Sequence, residues 1–317
     1  MKVLICGSSG FIGSNLLSYL VKLNTTKYSF TATYHKTKPN LNLKNYKIKF
    51  VKADLRKKIV CKNLMKGIDI VIQCAATTSG SKDILQNPYI HITDNIVMNT
   101  HLLESVYLNN IKHFVFLSCS TMYKSSNTLS KEEHVLDKNI EPKYFGAANM
   151  KLYCEKLCKF YSNIGNTKFT IVRHSNIYGP NDKYDKDKSH VLGATISKIY
   201  NAKKKIIVWG KGNEKRDFLY IDDLCRFISL AIKKQKDKFE IFNCGSSSPI
   251  SIKDLVKKII KISKKKLFVE YDSSKPNINI NIGLNCNHAK KKLNWTPKIS
   301  IENGLAKTYK WYLSNLK

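Results

Sequence analysis

Short runs dense in β-branched, aromatic and other apolar residues recur along the first half of the chain and alternate with stretches of helical spacing. Val3 to Cys6, Phe30 to Tyr34, Ile48 to Val51, Ile68 to Gln73, Phe114 to Ser118 and Phe169 to Arg173 read as strands. Phe11 to Lys22, Asn95 to Leu108 and Met150 to Tyr161 read as amphipathic helices between them. Strands that are apolar at successive positions are covered on both faces, and intervening helices supply the crossovers that parallel neighbours require. With right-handed crossovers the pattern specifies an α/β fold with a doubly wound parallel sheet, an architecture that binds dinucleotides.

The run Gly7-Ser-Ser-Gly10-Phe11-Ile12-Gly13 stands where the first strand meets the first helix. Glycines there permit a tight turn and let backbone amides approach a pyrophosphate at the positive end of the helix. The end of the second strand sets cofactor choice, because an acid at that point would bond the adenosine ribose of NAD. Here it reads Tyr34-His35-Lys36-Thr37-Lys38, with no acid and with positive charge, so NADP(H) is favoured over NAD(H). Asp54 and Leu55 after the third strand are placed to meet the adenine. Ala75 and Ala76 after the fourth flank the phosphates and ribose.

Beyond Gly179-Pro180 a polar stretch from Asn181 to Ser189 leads into a second region, with helices at Asp222 to Lys233, Ile252 to Ile262 and Ile301 to Tyr312. Ile241 to Cys244 reads as a strand able to return to the sheet. Residues 1–178 are therefore expected to form a Rossmann domain, to which the strand near 240–244 returns. Residues 179–317 are expected to form a smaller, intertwined substrate domain.

A net charge of +32 would suit nucleic acid, yet only Arg56, Arg173, Arg216 and Arg226 carry the guanidinium on which bidentate phosphate and base readout relies. The lysine excess reads as solvated surface that also steers anionic substrates, and no nucleic-acid partner is expected. No apolar run reaches the roughly 18 residues of a membrane helix, and Met1 to Cys6 enters a strand without a signal-like basic stretch. The nine cysteines lack CxxC pairing, which argues for reduced thiols rather than disulfides or a metal site, and Cys154 and Cys158 are spaced for packing. A cytoplasmic protein with no membrane partner is expected.

The glycine loop, Ala75-Ala76, Ser118-Cys-Ser-Thr-Met-Tyr123, Lys151 with Glu155 one turn later, and Asn176-Ile-Tyr-Gly-Pro180 together resemble the extended short-chain dehydrogenase/reductase family, whose members modify nucleotide sugars. Within it the chain is most similar to the GDP-L-fucose synthase branch. The likeness continues through Ser189-His190-Val191, Val208-Trp209-Gly210, Arg216-Asp-Phe-Leu219, Asp222-Asp223, Asp272-Ser-Ser-Lys275-Pro276 and Asn303-Gly-Leu-Ala. The resemblance implies a homodimer through the helices Asn95 to Leu108 and Met150 to Tyr161. It makes Lys151 the residue that holds the nicotinamide ribose and lowers a neighbouring pKa, and His190 the general acid/base of epimerisation. It places Asn176, His190, Lys198, Trp209, Arg216 and Lys275 around the substrate.

The chain also departs from that pattern. The family's Ser or Thr four residues before the motif tyrosine is Cys119, and the fucose synthase cysteine two residues before it is Thr121. Four residues before Lys151, where YxxxK spacing puts the catalytic tyrosine, stands Ala147. A ketone reduction needs a proton donor beside the carbonyl, and Tyr144, seven residues before Lys151 and expected in a loop, is the nearest replacement. Cys119, with a lowered pKa, is a further candidate for moving protons. The expected function is an NAD(P)-dependent epimerase/reductase of a nucleoside-diphosphate 4-keto-6-deoxyhexose or related sugar. The alternatives are a dehydratase or epimerase that recycles a tightly held cofactor, and a catalytically idle sugar-nucleotide binder.

Overall fold

A computed structural model describes residues 1–23, 27–39, 41, 43, 46–78, 86–135, 140–185, 189–275 and 278–315. Pro276, the last residue of one matched motif, and residues 186–188 of the polar stretch lie outside these. The strands in chain order are β1 (Lys2–Cys6), β2 (Ser29–Tyr34), β3 (Ile48–Lys52), β4 (Ile70–Gln73), β5 (His113–Leu117), β6 (Lys168–His174) and β7 (Asn176–Tyr178). They continue with β8 (Lys205–Trp209), β9 (Lys215–Arg216), β10 (Phe218–Tyr220), β11 (Phe239–Cys244), β12 (Ile250–Ser251) and β13 (Phe268–Asp272). The first helices are α1 (Phe11–Leu23), α2 (Lys58–Leu64), α3 (Thr93–Leu108), α4 (Phe145–Ile164) and α5 (Val191–Asn201). After them come α6 (Ile221–Lys234), α7 (Ile252–Ser263), α8 (Asn287–Leu293) and α9 (Ile301–Ser314).

Seven strands form one parallel sheet in the order β11-β6-β5-β4-β1-β2-β3. The central strands β4 and β5 are buried at every residue, whereas the edge strand β3 alternates between half-buried and exposed. Side chains leave a strand on alternate faces, so the apolar runs feed two cores. Val3, Ile5, Ile70, Ile72, Val115 and Val172 meet Leu16, Leu17 and Leu20 of α1 and Leu224, Phe227 and Ile228 of α6 on one face. Leu4, Val71, Phe114, Phe116, Phe169 and Ile171 meet Leu102 and Leu103 of α3 and Met150, Cys154 and Cys158 of α4 on the other. Cys154 and Cys158 are thus packing residues, and all nine cysteines are free thiols.

The order reverses beside β1: the chain winds through β2 and β3 to one side and through β4, β5, β6 and β11 to the other. A crevice opens outside the carboxyl ends of the strands at such a switch, and the glycine loop stands there. The return of β11 beside β6 brings the C-terminal half back into the sheet. The rest of that half is built from two-stranded pairs, β7 with β10, β9 with β12 and β8 with β13, with α5, α7 and α9 packed beside them. It shares the first core, through Leu192, Ile196, Ile252, Leu255 and Leu305. No helix among the described residues is long and apolar enough to cross a membrane.

One expectation is corrected. Helix α4 begins five residues before Met150, entered from a 3-10 turn over Pro142–Tyr144, so Tyr144 is the N-cap of the helix rather than a loop residue. Proline fits the opening turn because its missing amide hydrogen would have no partner there.

Candidate active site

The cofactor end is set by the turn from β1 into α1. Gly7 has φ +73°, and a Cβ on it would lie 2.6 Å from the Cα of Ala75, so the turn and the segment after β4 touch through backbone. A Cβ on Gly13 would lie 2.3 Å from the Gly7 carbonyl oxygen, which is how α1 sits down on the turn. Ser14 N donates to Gly10 O at 2.9 Å as the first helical bond. The amides of Phe11, Ile12 and Gly13 therefore precede the helical ladder, at its positive end, and suit a pyrophosphate. The cradle has the space and donors that a dinucleotide requires.

At the adenosine end His35 and Lys36 are exposed beyond β2. Asp54 Oδ1 accepts from Arg56 Nε at 2.9 Å and Asp54 Oδ2 from Arg56 Nη2 at 3.0 Å, holding the carboxyl down at about 2. Arg56 also reaches Asp94 at 3.3 Å, and His35 Nε2 lies 4.0 Å from Asp54 Oδ2. Arg56 thus shares its single charge between Asp54 and Asp94. Leu55 is buried beneath it, while Ala75 and Ala76 are half-buried and exposed. Gln73 accepts from Ala75 N, and Asn95 of α3 both donates to Thr77 O and accepts from Thr77 N at 2.9 Å, which fixes the segment after β4.

At the reacting centre Lys151 projects from α4 over Phe116, 4.8 Å from its ring centre, and donates to Leu117 O at 2.7 Å. Its charge is thereby held at the carboxyl end of β5, beside the Ser118–Tyr123 segment. There Cys119 Sγ and Thr121 Oγ1 share a hydrogen bond at 2.9 Å. Tyr144 is half-buried, and burial raises its pKa against the opposing charge of Arg216, with Cys119 adding to the rise. The phenol stays protonated at neutral pH and is a donor rather than a base. Ala147 leaves no hydroxyl at the YxxxK position. His190 is the N-cap residue of α5, makes no side-chain cap bond and is exposed. Crowding by protein lowers its pKa, and the charges of Lys183 and His91 act the same way.

Under this centre lies a buried ionic network. Ser118 Oγ donates to Glu155 Oε1 at 2.5 Å, and Arg173 Nη2 meets Glu155 Oε2 at 2.7 Å with both side chains about 5% exposed. Arg173 Nη1 also donates to Glu132 O, and Tyr123 OH donates to Asn243 Oδ1 at 2.6 Å. The run from Ser118 to Tyr123 is pinned at both ends, and Cys119 and Thr121 are presented between the pins.

At the far end Lys198 lies 5.0 Å from the Trp209 ring centre and donates to Ile207 O at 3.2 Å; burial lowers its pKa. Arg216 spends both terminal nitrogens on backbone, with Nη2 donating to Ile278 O at 2.6 Å and Nη1 to Ile280 O. Asn176 Nδ2 donates to Asp217 O at 3.1 Å, and Lys275 is exposed after β13. Arg216 therefore organises the 278–280 segment, and the freer cation at this end is Lys275.

Three residues of the candidate site carry no sequence signal of their own. Arg56 looks like one more surface charge, but it pairs with Asp54 two residues before it and with Asp94, which α3 brings to it. His174, at the end of β6, is half-buried, bonds Ser175 O through Nδ1 at 2.8 Å and is pushed down to about 4 by burial, with Lys151 and His190 contributing. Lys183 is hidden among the other lysines.

The sequence matches the NAD dependent epimerase/dehydratase family over residues 3–245. It is 33% identical over 254 residues to a GDP-L-fucose synthase of Sinorhizobium fredii, covering 78% of this chain and 79% of that one. It is 28% identical over 321 residues to the GDP-L-colitose synthase of Yersinia pseudotuberculosis, covering 99% and 98%. Among solved structures, the UDP-glucuronic acid 4-epimerase of Bacillus cereus, in complex with UDP-glucuronic acid and NAD, superposes with a TM-score of 0.86 at 25% identity over 100% of both chains. The glycine cradle at the switch point, the anchored Lys151 and a match spanning most of the chain agree: the protein belongs to the NAD dependent epimerase/dehydratase family, within the extended short-chain dehydrogenases/reductases.

Proposed function

We propose that the protein is an NADP(H)-using epimerase/reductase of a nucleoside-diphosphate 4-keto-6-deoxyhexose or a related sugar. The observation that carries this reading is Lys151, fixed on Leu117 O at the carboxyl end of β5, beside Cys119 and His174. Gly7, Gly10 and the amides of Phe11, Ile12 and Gly13 would hold the pyrophosphate, Asp54 and Leu55 the adenine, Ala75 and Ala76 the central ribose and phosphates, and Lys151 the nicotinamide ribose. His35 and Lys36 supply positive charge for a 2′-phosphate, and Arg56 pairs with the Asp54 carboxylate that would oppose it. A bound nicotinamide supplies the hydride.

The chain's own groups then handle protons and orientation. Tyr144, kept protonated by burial, donates to the developing alkoxide in place of the missing YxxxK phenol, and Lys151 stabilises the negative charge as a fixed cation. His190, kept neutral, takes a proton from a carbon beside the keto group, and the Cys119 thiol, hydrogen-bonded to Thr121, returns one to the opposite face, both groups then exchanging protons with solvent. Trp209 and Lys198 suit a base, and Lys275 suits the diphosphate. Similarity to enzymes named for GDP-linked 6-deoxyhexoses supports the sugar class.

Incubation with a panel of GDP- and UDP-linked 4-keto-6-deoxyhexoses should consume NADPH faster than NADH. Tyr144→Phe should lower kcat about 100-fold, with KM little changed. Full activity in Tyr144→Phe removes the tyrosine from the mechanism, and no turnover of any sugar with either cofactor removes the proposed reaction. A homodimer is part of this reading, because Leu108, Tyr153, Phe160 and Ile164 leave large apolar side chains exposed on α3 and α4. Light scattering should give about twice the 36.3 kDa chain mass; a monomer at micromolar concentration overturns that assembly.

A further inference from the structure

The loop leaving β7 is tied to the cofactor half at two points. Asn15 Nδ2 of α1 donates to Pro180 O at 2.8 Å, and Lys183 Nζ donates to Thr78 O, after β4, at 2.9 Å. Its other side lies on α5. A Cβ built on Gly193 would come within 2.4 Å of the Lys183 carbonyl oxygen, so the backbone at 183 crosses directly over the first turn of the helix whose N-cap is His190. Tyr184 locks the loop from outside, donating to Gly179 O at 2.8 Å with its ring 4.8 Å from that of Tyr312. Lys183 thus bridges the two, its ammonium on the segment after β4 and its backbone carbonyl on the first turn of α5.

Charged and titratable groups face His190 from three elements. Lys183 does so from this loop, His91 from the 3-10 turn Pro88–His91, and His174 from β6, with Lys151 acting on His174 in turn. Asp182, next to Lys183, has its carboxyl pushed up to about 7 by burial, against the opposing effects of the Lys183 amide and charge. Near neutral pH it is partly ionised and offsets only part of the lysine's charge.

We propose that Lys183 is a positioning residue for His190, a clasp from the Thr78 carbonyl to the first turn of α5 that fixes a positive charge beside the imidazole and keeps it ready to accept a proton. The proposal rests on the reading of His190 as the group that moves protons on the sugar. A like charge disfavours the protonated imidazole, so the clasp favours the neutral form. The ammonium is solvent-exposed, so the effect is modest and weakens with salt.

The test reads His190 directly, without substrate. The imidazole Cε1–H resonance, assigned by its loss in His190→Gln, is titrated by NMR at low salt in the unaltered protein, Lys183→Met and Lys183→Arg. Lys183→Met should raise the midpoint by about half a pH unit, Lys183→Arg should hold it near the original value, and added salt should narrow the gap. Gly193→Ala, which displaces the Lys183 carbonyl, should shift it in the same direction as Lys183→Met. An unchanged midpoint in folded Lys183→Met overturns the clasp, whatever sugars the protein turns over. A shifted midpoint in a protein that turns over none of them upholds the clasp as a structural device and overturns only the proposed reaction.

Discussion

Lys151→Ala should lower hydride transfer by about 10²–10⁴-fold, the range seen when a positioned proton-transfer partner is lost. The ammonium is fixed by Leu117 O at 2.7 Å and by the face of Phe116, so its charge is already in place before substrate arrives. Where the YxxxK phenol is absent, the proposed reaction relies on this lysine as a fixed cation at the end of β5. Lys151 is only half-buried, and its removal should cost about 1 kcal/mol of stability or less. The loss should therefore appear in single-turnover oxidation of NADPH with a melting temperature lowered by no more than about 2 °C. Retention of full activity would remove Lys151 from the mechanism.

The largest stability effect is expected beneath the site. Glu155→Leu strips the partner from Arg173, whose side chain is about 5% exposed, and leaves Ser118 Oγ without its acceptor. Breaking a buried pair by removing one partner costs about 3–5 kcal/mol, because the remaining charge stays in a poorly polarisable surrounding. For a chain of this size that corresponds to a fall in Tm of roughly 10 °C. Arg173→Met should do nearly as much, and the double variant should cost clearly less than the two single losses added, because no uncompensated charge then remains. Additive losses in that cycle would show that the pair is not the unit holding the Ser118–Tyr123 segment.

Much of the fold was legible. The six strands read from apolar runs are the six first strands of the parallel sheet, within two residues at each end, and Ile241 to Cys244 does return to it as part of β11. Continuous burial on both faces writes itself into the sequence as an unbroken apolar run. The start of α4 was misplaced because Phe145-Gly-Ala-Ala-Asn149 carries little apolar periodicity. The strand pairs of the C-terminal half have members as short as two residues, too short for any period to show. Helix α8 buries only Ala289 and Leu293 within a lysine-rich stretch, and so has no apolar stripe to read.

The site divides in the same way. The glycine cradle, the lack of an acid after β2, and the replacement of two family hydroxyls by Cys119 and Ala147 are facts of residue identity, complete in the sequence itself. What these groups do depends on distances that the sequence does not contain. The reach of Arg56 to Asp94, the spending of Arg216 on the 278–280 backbone and the bridging of Lys183 to Thr78 all join residues that only the winding of the chain brings together. Local periodicity encodes which face of an element is buried. Electrostatics at a site is set by separations of a few ångströms between atoms far apart in the chain, and here the tertiary structure alone seats Lys151 on Leu117 O and Lys183 on Thr78 O.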